Sequence, residues 1–283
     1  MLSSLFEAVR DALVADTPVS IATVIGIDPG FEPPAASDVS EANLALGSAM
    51  VVWRDGAIFG SLGNADLDRS VRRDALGHLD SGVSAIRHYG ARGEARHESL
   101  AIFIETFVPP PRMVIFGAVS FSASLARVAK TLGYKVIVCD PRETFATNIR
   151  FPMADEVVVS WPQKYLESVG DSLGERDAIC VITHDPKFDV PALVGAVRTA
   201  AGYIGAMGSR RTTAAREGRL REAGLDDKDV ARIMAPIGLD IGASTPEETA
   251  ISICAEIIAK RSGDASGASL RNVAGPIHPR AAG

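Results

Sequence analysis

The chain has 283 residues, 47 % of them apolar, with 29 basic against 35 acidic side chains and a net charge of −6. This much apolar material builds packed cores and excludes a disordered or fibrous chain. The acidic balance excludes the concentrated basic face that a nucleic-acid backbone requires, which leaves a small molecule or another protein as partner.

In chain order, the opening M-L-S-S-L-F-E-A-V-R-D-A-L sets acids and an arginine among apolar residues and predicts an amphipathic helix rather than a signal peptide. No apolar run reaches membrane-spanning length, so the expected location is cytoplasmic. Strands are predicted at 20–27, 48–53, 57–59 and 100–107. Arg54-Asp55-Gly56 is a hairpin turn, because Asp-Gly readily takes positive φ. Residues 28–46, rich in Pro, Ala, Ser and acids, read as an exposed loop, and 66–88 as one helix. Together these make a small α+β domain over 1–108. Consecutive prolines at 109–111 form a stiff linker and a domain boundary.

Beyond the linker, strands at 113–116, 135–139, 156–159, 178–183 and 203–206 alternate with helices at 122–132, 164–173, 190–200 and 210–223. Strands apolar on both faces and joined by helices predict a Rossmann-like, doubly wound parallel sheet over 109–262. Thr245-Pro246-Glu247-Glu248 opens a last helix with a capping box and proline at its first position. Residues 263–283 read as a flexible tail. Cys139, Cys180 and Cys254 form no C-x-x-C pair and sit in apolar segments, so they read as buried thiols, and no metal site is assigned.

Several residues fall where this fold does chemistry. Gly117 ends the first parallel strand as the first glycine of a dinucleotide turn does, but Val119 and Ser122 stand in place of the second and third. Tight NAD(P) binding in the usual pose is therefore disfavoured, although Ser120, with Ser122 and Ser124, can meet an anion at the helix N-terminus. Asp140 follows Gly117 by 23 residues, the position of a ribose-binding acid, and Arg142 beside it suits a phosphate. Thr183-His184-Asp185 ends the fourth strand. His184 can act as acid, base or ligand, with Asp185 fixing its tautomer. Gly205 and Gly208 precede Ser209-Arg210-Arg211, a cap and two guanidiniums that suit a phosphate clamp. A structural turn with solvated serines, a loop histidine beside a helix cap, and two solvated arginines are the plain alternatives. The segment from Ala235 to Glu248 places Gly238 and Gly242 around Asp240 and runs into Thr245, a shaped loop that fits neither strand nor helix.

P-I-G-L-D-I-G-A-x-T-P-E-E, with T-H-D at 183–185, Y-I-G-A-M-G-S-R-R at 203–211, D-P-R at 140–142 and R-F-P-x-A-D at 150–155, resembles the XdhC/CoxI family of maturation factors for xanthine dehydrogenase and related molybdenum hydroxylases. The resemblance implies a small N-terminal domain followed by a Rossmann domain. It also implies a cofactor-binding chaperone rather than a catalyst. Such a protein holds molybdenum cofactor (molybdopterin) while a cysteine desulfurase adds its terminal sulfur, then inserts it into a xanthine dehydrogenase-type hydroxylase subunit, commonly as a homodimer. The chain departs from the family pattern in three places. Where relatives carry G-S-x-x-G-G-C-x-E, this chain has Asp66 at the cysteine position, and a carboxylate carries no persulfide. The upstream G-S-x-P-R is absent, and G-A-G-H at the first turn is Gly117-Ala118-Val119-Ser120. Two other readings stand beside this one. One is an NAD(P)-dependent oxidoreductase using Asp140 or Arg142 for the ribose and His184 for proton transfer. The other is a degenerate paralogue acting as scaffold or regulatory partner, suggested by Asp66 and Val119.

Overall fold

The computed structural model describes residues 2–15, 17–30, 44–90, 92–94, 99–183, 185–263 and 265–274. Its contacts fall into two compact units, one ending at Pro109 and one beginning at Pro110.

The first unit runs α1 (Leu2–Val14), β1 (Val19–Ile27), β2 (Ala49–Trp53), β3 (Ile58–Gly60), α2 (Ala65–Ser81), β4 (Ala85–Tyr89) and β5 (Leu100–Phe107). Its strands form an antiparallel sheet in the order β3-β2-β1-β5-β4. The predicted hairpin is there: Gly56 takes φ +82° and the Trp53 amide donates to the Ala57 carbonyl at 3.0 Å. Strand alternation sends Ala22, Val24, Met50, Val52, Ile102 and Ile104 to the side where α2 lays its stripe of Leu67, Val71 and Ala75. Val19 and Val51 point the other way, to Leu5 and Ala12 of α1.

The single helix expected over 66–88 is two elements. α2 stops at Ser81 because Gly82 adopts the left-handed conformation at φ +69° and turns its amide back to the His78 carbonyl. Beyond it Ala85–Tyr89 pairs with β5 as an edge strand. The loop expected at 28–46 falls largely on residues 31–43, outside the described residues.

The second unit runs β6 (Arg112–Phe116), α3 (Ser120–Thr131), β7 (Lys135–Cys139), β8 (Glu156–Val158), α4 (Pro162–Val169), β9 (Ala178–Val181), α5 (Pro186–Ala196), β10 (Tyr203–Ala206), α6 (Arg210–Glu222), α7 (Asp227–Ala231), β11 (Ile233–Met234) and α8 (Pro246–Ser262). The sheet is parallel throughout, in the order β11-β10-β9-β6-β7-β8. That order is the doubly wound arrangement, reversing direction between β6 and β9. Met113 and Ile115 of β6 pack with α3 and α8, while Val114 and Phe116 pack on the opposite face with α4, α5 and α6. Both faces are thus covered, which is why these strands read as continuous apolar runs. α5 begins four residues before its expected start, because Asp185 caps it and Pro186 is pre-set for the first helical position. α7 and β11 were not expected: one is a five-residue turn of helix and the other a two-residue strand.

Candidate functional site

Ligands of open parallel sheets sit beyond the carboxyl ends of the strands, at the point where strand order reverses. Here that point is the pair β6 and β9, and Gly117 fills it. It holds φ +111°, and a Cβ on it would lie 3.0 Å from the Thr183 amide nitrogen, so only glycine lets the two strand ends approach. The helix that follows spends its polar groups internally. Val119 caps α3 with no side-chain hydrogen bond. Ser122 is fully buried and donates to the Gly117 carbonyl, and Ser124 donates to Glu247 at 2.8 Å. Of the three serines expected to face an anion, only Ser120 stays exposed. Ser122 also explains the missing third glycine, because its hydroxyl closes the turn that a glycine would leave open.

Asp140 lies just past β7, and its side chain is 2 % exposed. Oδ1 accepts from the Arg142 amide at 2.9 Å and from Arg142 Nε at 2.8 Å, and Oδ2 accepts from the Ala118 amide at 2.8 Å and Arg142 Nη2 at 2.7 Å. Burial opposes ionisation of this carboxyl, but the bonds from Arg142 and Ala118 outweigh it and hold its pKa below the ordinary value. Four donors from its own chain leave no room for a ribose diol. Arg142 is held in turn, its guanidinium 4.6 Å from the Phe145 ring centroid and 5.8 Å from that of Phe188.

Of the candidate catalytic pair, His184 lies outside the described residues. Asp185 is an exposed helix cap that accepts from the Lys187 amide at 3.1 Å and pairs with Lys187 Nζ at 3.3 Å.

The turn from β10 to α6 differs from the first turn. Gly205 is required by packing, since a Cβ there would meet Ile237 at 2.5 Å and the Tyr203 hydroxyl at 2.8 Å. Ser209 caps α6, accepting from the Thr212 amide at 3.1 Å, and Arg210 and Arg211 are both exposed. Beneath them lies a pair that sequence reasoning missed. Arg216 and Asp189 are each 3 % exposed and meet at 3.0 Å, and Arg216 Nη2 also donates to the Met207 carbonyl at 2.6 Å. Only the fold reveals it: α6 buries Thr213, Arg216 and Leu220, so an arginine holds a core position that the polar sequence of the helix does not mark.

The loop after β11 is tied to α8. Gly238 takes φ +97°, and a Cβ on it would stand 2.5 Å from Ser252 Oγ. Its amide and the Tyr203 hydroxyl both donate to Glu256 Oε2, at 2.9 and 2.6 Å. Gly242 takes φ +74°, and Asp240 is exposed. Thr245 caps α8 in a reciprocal box with Glu248, whose carboxyl is pulled down to about 2 by bonds from Ser244 and Thr245. The structure therefore brings Gly117, Ser120, Asp140, Arg142, Asp185, Gly205, Gly208, Ser209, Arg210 and Arg211 to the strand ends or the turns that follow them. It gives Gly238, Gly242 and Thr245 to loop shape and capping.

In the first unit Asp66 is an exposed residue of the first turn of α2, paired with Arg69 at 2.8 Å. It suits the positive end of that helix. All three cysteines are buried. Burial raises the thiol pKa of Cys139 to about 12 and of Cys254 to about 11, and pushes that of Cys180 well above its usual value. No group of three or more His, Cys, Asp or Glu suited to a metal ion occurs among the described residues.

Residues 113–257 match the family model for the XdhC Rossmann domain, and residues 39–90 match that of the XdhC and CoxI family. The chain belongs to the XdhC/CoxI family. A Bacillus subtilis (strain 168) relative, named as a probable xanthine dehydrogenase subunit, is 34 % identical over 161 residues, covering 56 % of this chain and 46 % of its own length. The Escherichia coli (strain K12) protein YqeB, named only as uncharacterized, is 28 % identical over 240 residues, 81 % of this chain and 42 % of YqeB. The E. coli molybdenum cofactor insertion chaperone PaoD is 26 % identical over 155 residues, 55 % of this chain and 42 % of PaoD. These matches span less than half the length of each relative. No helix among the described residues is long and apolar enough to cross a membrane.

Proposed function

We propose that this XdhC/CoxI chain is an accessory factor that binds molybdenum cofactor at the carboxyl edge of its parallel sheet and hands it to a xanthine dehydrogenase-type hydroxylase subunit. The observation that carries the reading is the turn from β10 to α6, where the Ser209 cap, Arg210 and Arg211 gather donors and positive charge at one helix N-terminus. The names of the B. subtilis relative and of PaoD point the same way. An anionic, phosphate-bearing pterin fits a donor-rich edge of this kind.

The chain's own residues suit holding and release better than sulfur chemistry. A persulfide needs an accessible thiolate, and all three cysteines are buried with raised pKa values. Addition of the terminal sulfur therefore falls to a partner, a cysteine desulfurase, while this chain shields the cargo. Asp185 belongs to the same edge in this proposal, and His184, its neighbour in sequence, is the group proposed to move a proton near the bound cofactor. A cytoplasmic homodimer completes it.

An NAD(P)-dependent oxidoreductase is the weaker reading, because Asp140 is engaged on both oxygens and Val119 stands where a pyrophosphate needs glycine. The scaffold reading draws on Asp66, whose carboxylate is paired to Arg69. The deciding experiment titrates anaerobically released molybdenum cofactor against the full chain and against an Arg210→Ala, Arg211→Ala double variant. Tight binding that the double variant loses is the expected result. Absence of binding to the unmodified chain would overturn the proposal and favour the scaffold.

A further inference from the structure

We infer that the N-terminus of α6 is a phosphoryl-binding site, completed from beneath by the buried Arg216. This deepens the cofactor reading above and rests on it for the identity of the natural ligand. Four observations meet there. Arg216 is 3 % exposed, yet its Nη1 has no hydrogen-bond partner. A buried guanidinium nitrogen left unpaired carries a desolvation cost that a ligand or water would relieve. Thr213, one turn earlier on the same buried face, also has an unpartnered hydroxyl.

The head of Arg216 lies at the mouth of the helix. Side chains on a helix lean toward its N-terminus. Nη2 donates to the carbonyl of Met207, two residues before the Ser209 cap, and stands 3.4 Å from where a Cβ on Gly208 would project. The loop at Gly208 thus passes alongside the guanidinium. Finally, the Thr212 amide bonds Ser209 Oγ and the Thr213 amide bonds the Ser209 carbonyl, which leaves the amides of Arg210 and Arg211 as the open donors of the first turn.

The groups gathered around this helix start are donors: two open backbone amides and the exposed guanidiniums of Arg210 and Arg211 at the surface, with Nη1 of Arg216 and the Thr213 hydroxyl enclosed within the fold. Asp189 already offsets the charge of Arg216, so the net positive charge comes from the two surface arginines. That set suits a dianionic phosphoryl oxygen cluster and does not suit a neutral sugar or a cation.

The test is calorimetric titration of the full chain with inorganic pyrophosphate at low and high salt, alongside Arg216→Lys, Thr213→Val and the Arg210→Ala, Arg211→Ala double variant. Arg216→Lys keeps a cation opposite Asp189 but removes Nη1, and Thr213→Val keeps shape without the hydroxyl, so the second variant carries the test if the first does not fold. The expected result is saturable binding weakened about tenfold or more by Arg216→Lys, which loses one charge-assisted bond to the anion. A few-fold weakening by Thr213→Val and a flatter salt dependence in the double variant complete the pattern. No saturable binding by the unmodified chain would overturn the inference and leave a buried water as the partner of Nη1. Unweakened binding in both Arg216→Lys and Thr213→Val would overturn it too. Cofactor binding that pyrophosphate does not compete for would sink this site and leave the function standing. Pyrophosphate binding without cofactor binding would keep the site and sink the function.

Discussion

Two helices of the second unit, α3 and α6, start at the same edge of the same parallel sheet, and their first turns are built in opposite ways. At α3 the cap is Val119, Ser122 turns inward onto the Gly117 carbonyl, Ser124 is taken by Glu247, and the neighbouring Asp140 is wrapped by Arg142. At α6 the cap is Ser209, two arginines are exposed, and a buried guanidinium keeps one nitrogen unpaired. The first turn is where a dinucleotide fold ordinarily holds its phosphates. In this chain the polar capacity at that place is consumed internally, and capacity persists two strands away in the sheet. A retained topology therefore does not fix which turn of the sheet binds.

The contrast can be broken most sharply at Asp189, the buried partner of Arg216. Asp189→Ala leaves the enclosed charge of Arg216 without its carboxylate, and urea unfolding should register a loss of about 3–5 kcal/mol. A loss below about 1 kcal/mol would mean that Arg216 reaches water and is not a buried cation. On the α3 side, Gly117→Ala forces a Cβ toward the Thr183 amide at φ +111° and should cost about 2 kcal/mol by the same measurement. Asp140→Asn is milder, about 1–2 kcal/mol near neutral pH, because the 41 %-exposed Arg142 can turn to solvent.

Its pH dependence sharpens the comparison. The Asp140 carboxyl titrates below its unfolded value, so its stabilisation is complete above that unfolded value and fades as pH falls through the folded one. Asp140→Asn should remove that acid-side loss, and unfolding midpoints at pH 7 and pH 3 compared between the two proteins measure it. Parallel acid limbs would show that Arg142 does not hold the carboxylate. The smallest effect is expected at the α6 cap, where Ser209→Ala should cost about 1 kcal/mol by removing the bond to the Thr212 amide.

Much of the fold is legible because its signals are local. Strands buried on both faces read as unbroken apolar runs, the turn at Gly56 needs only a dipeptide, and the capping box at Thr245 spans four residues. Where the sequence pattern runs α2 too long, the stop depends on Gly82 taking a left-handed conformation, which a lone glycine in a helical pattern does not announce. β11 is two residues long and exists only through its pairing with β10. At the candidate site the sequence places Asp140 and Arg142 correctly at a strand end. It does not show that the two are spent on each other, because position is a matter of spacing and engagement one of rotamers. Arg216 and Asp189 are invisible for a related reason: their pairing spans 27 residues, and α6 is too polar to mark which of its arginines lies inside.

Glu256 joins three parts of the fold through one oxygen, taking the Tyr203 hydroxyl from the sheet and the Gly238 amide from the loop while riding on α8. A loop fastened in this way is not a flap. Its backbone at Gly238 should exchange hydrogen with solvent at the pace of the helix, and any opening of that side of the sheet must carry α8 along as a lever.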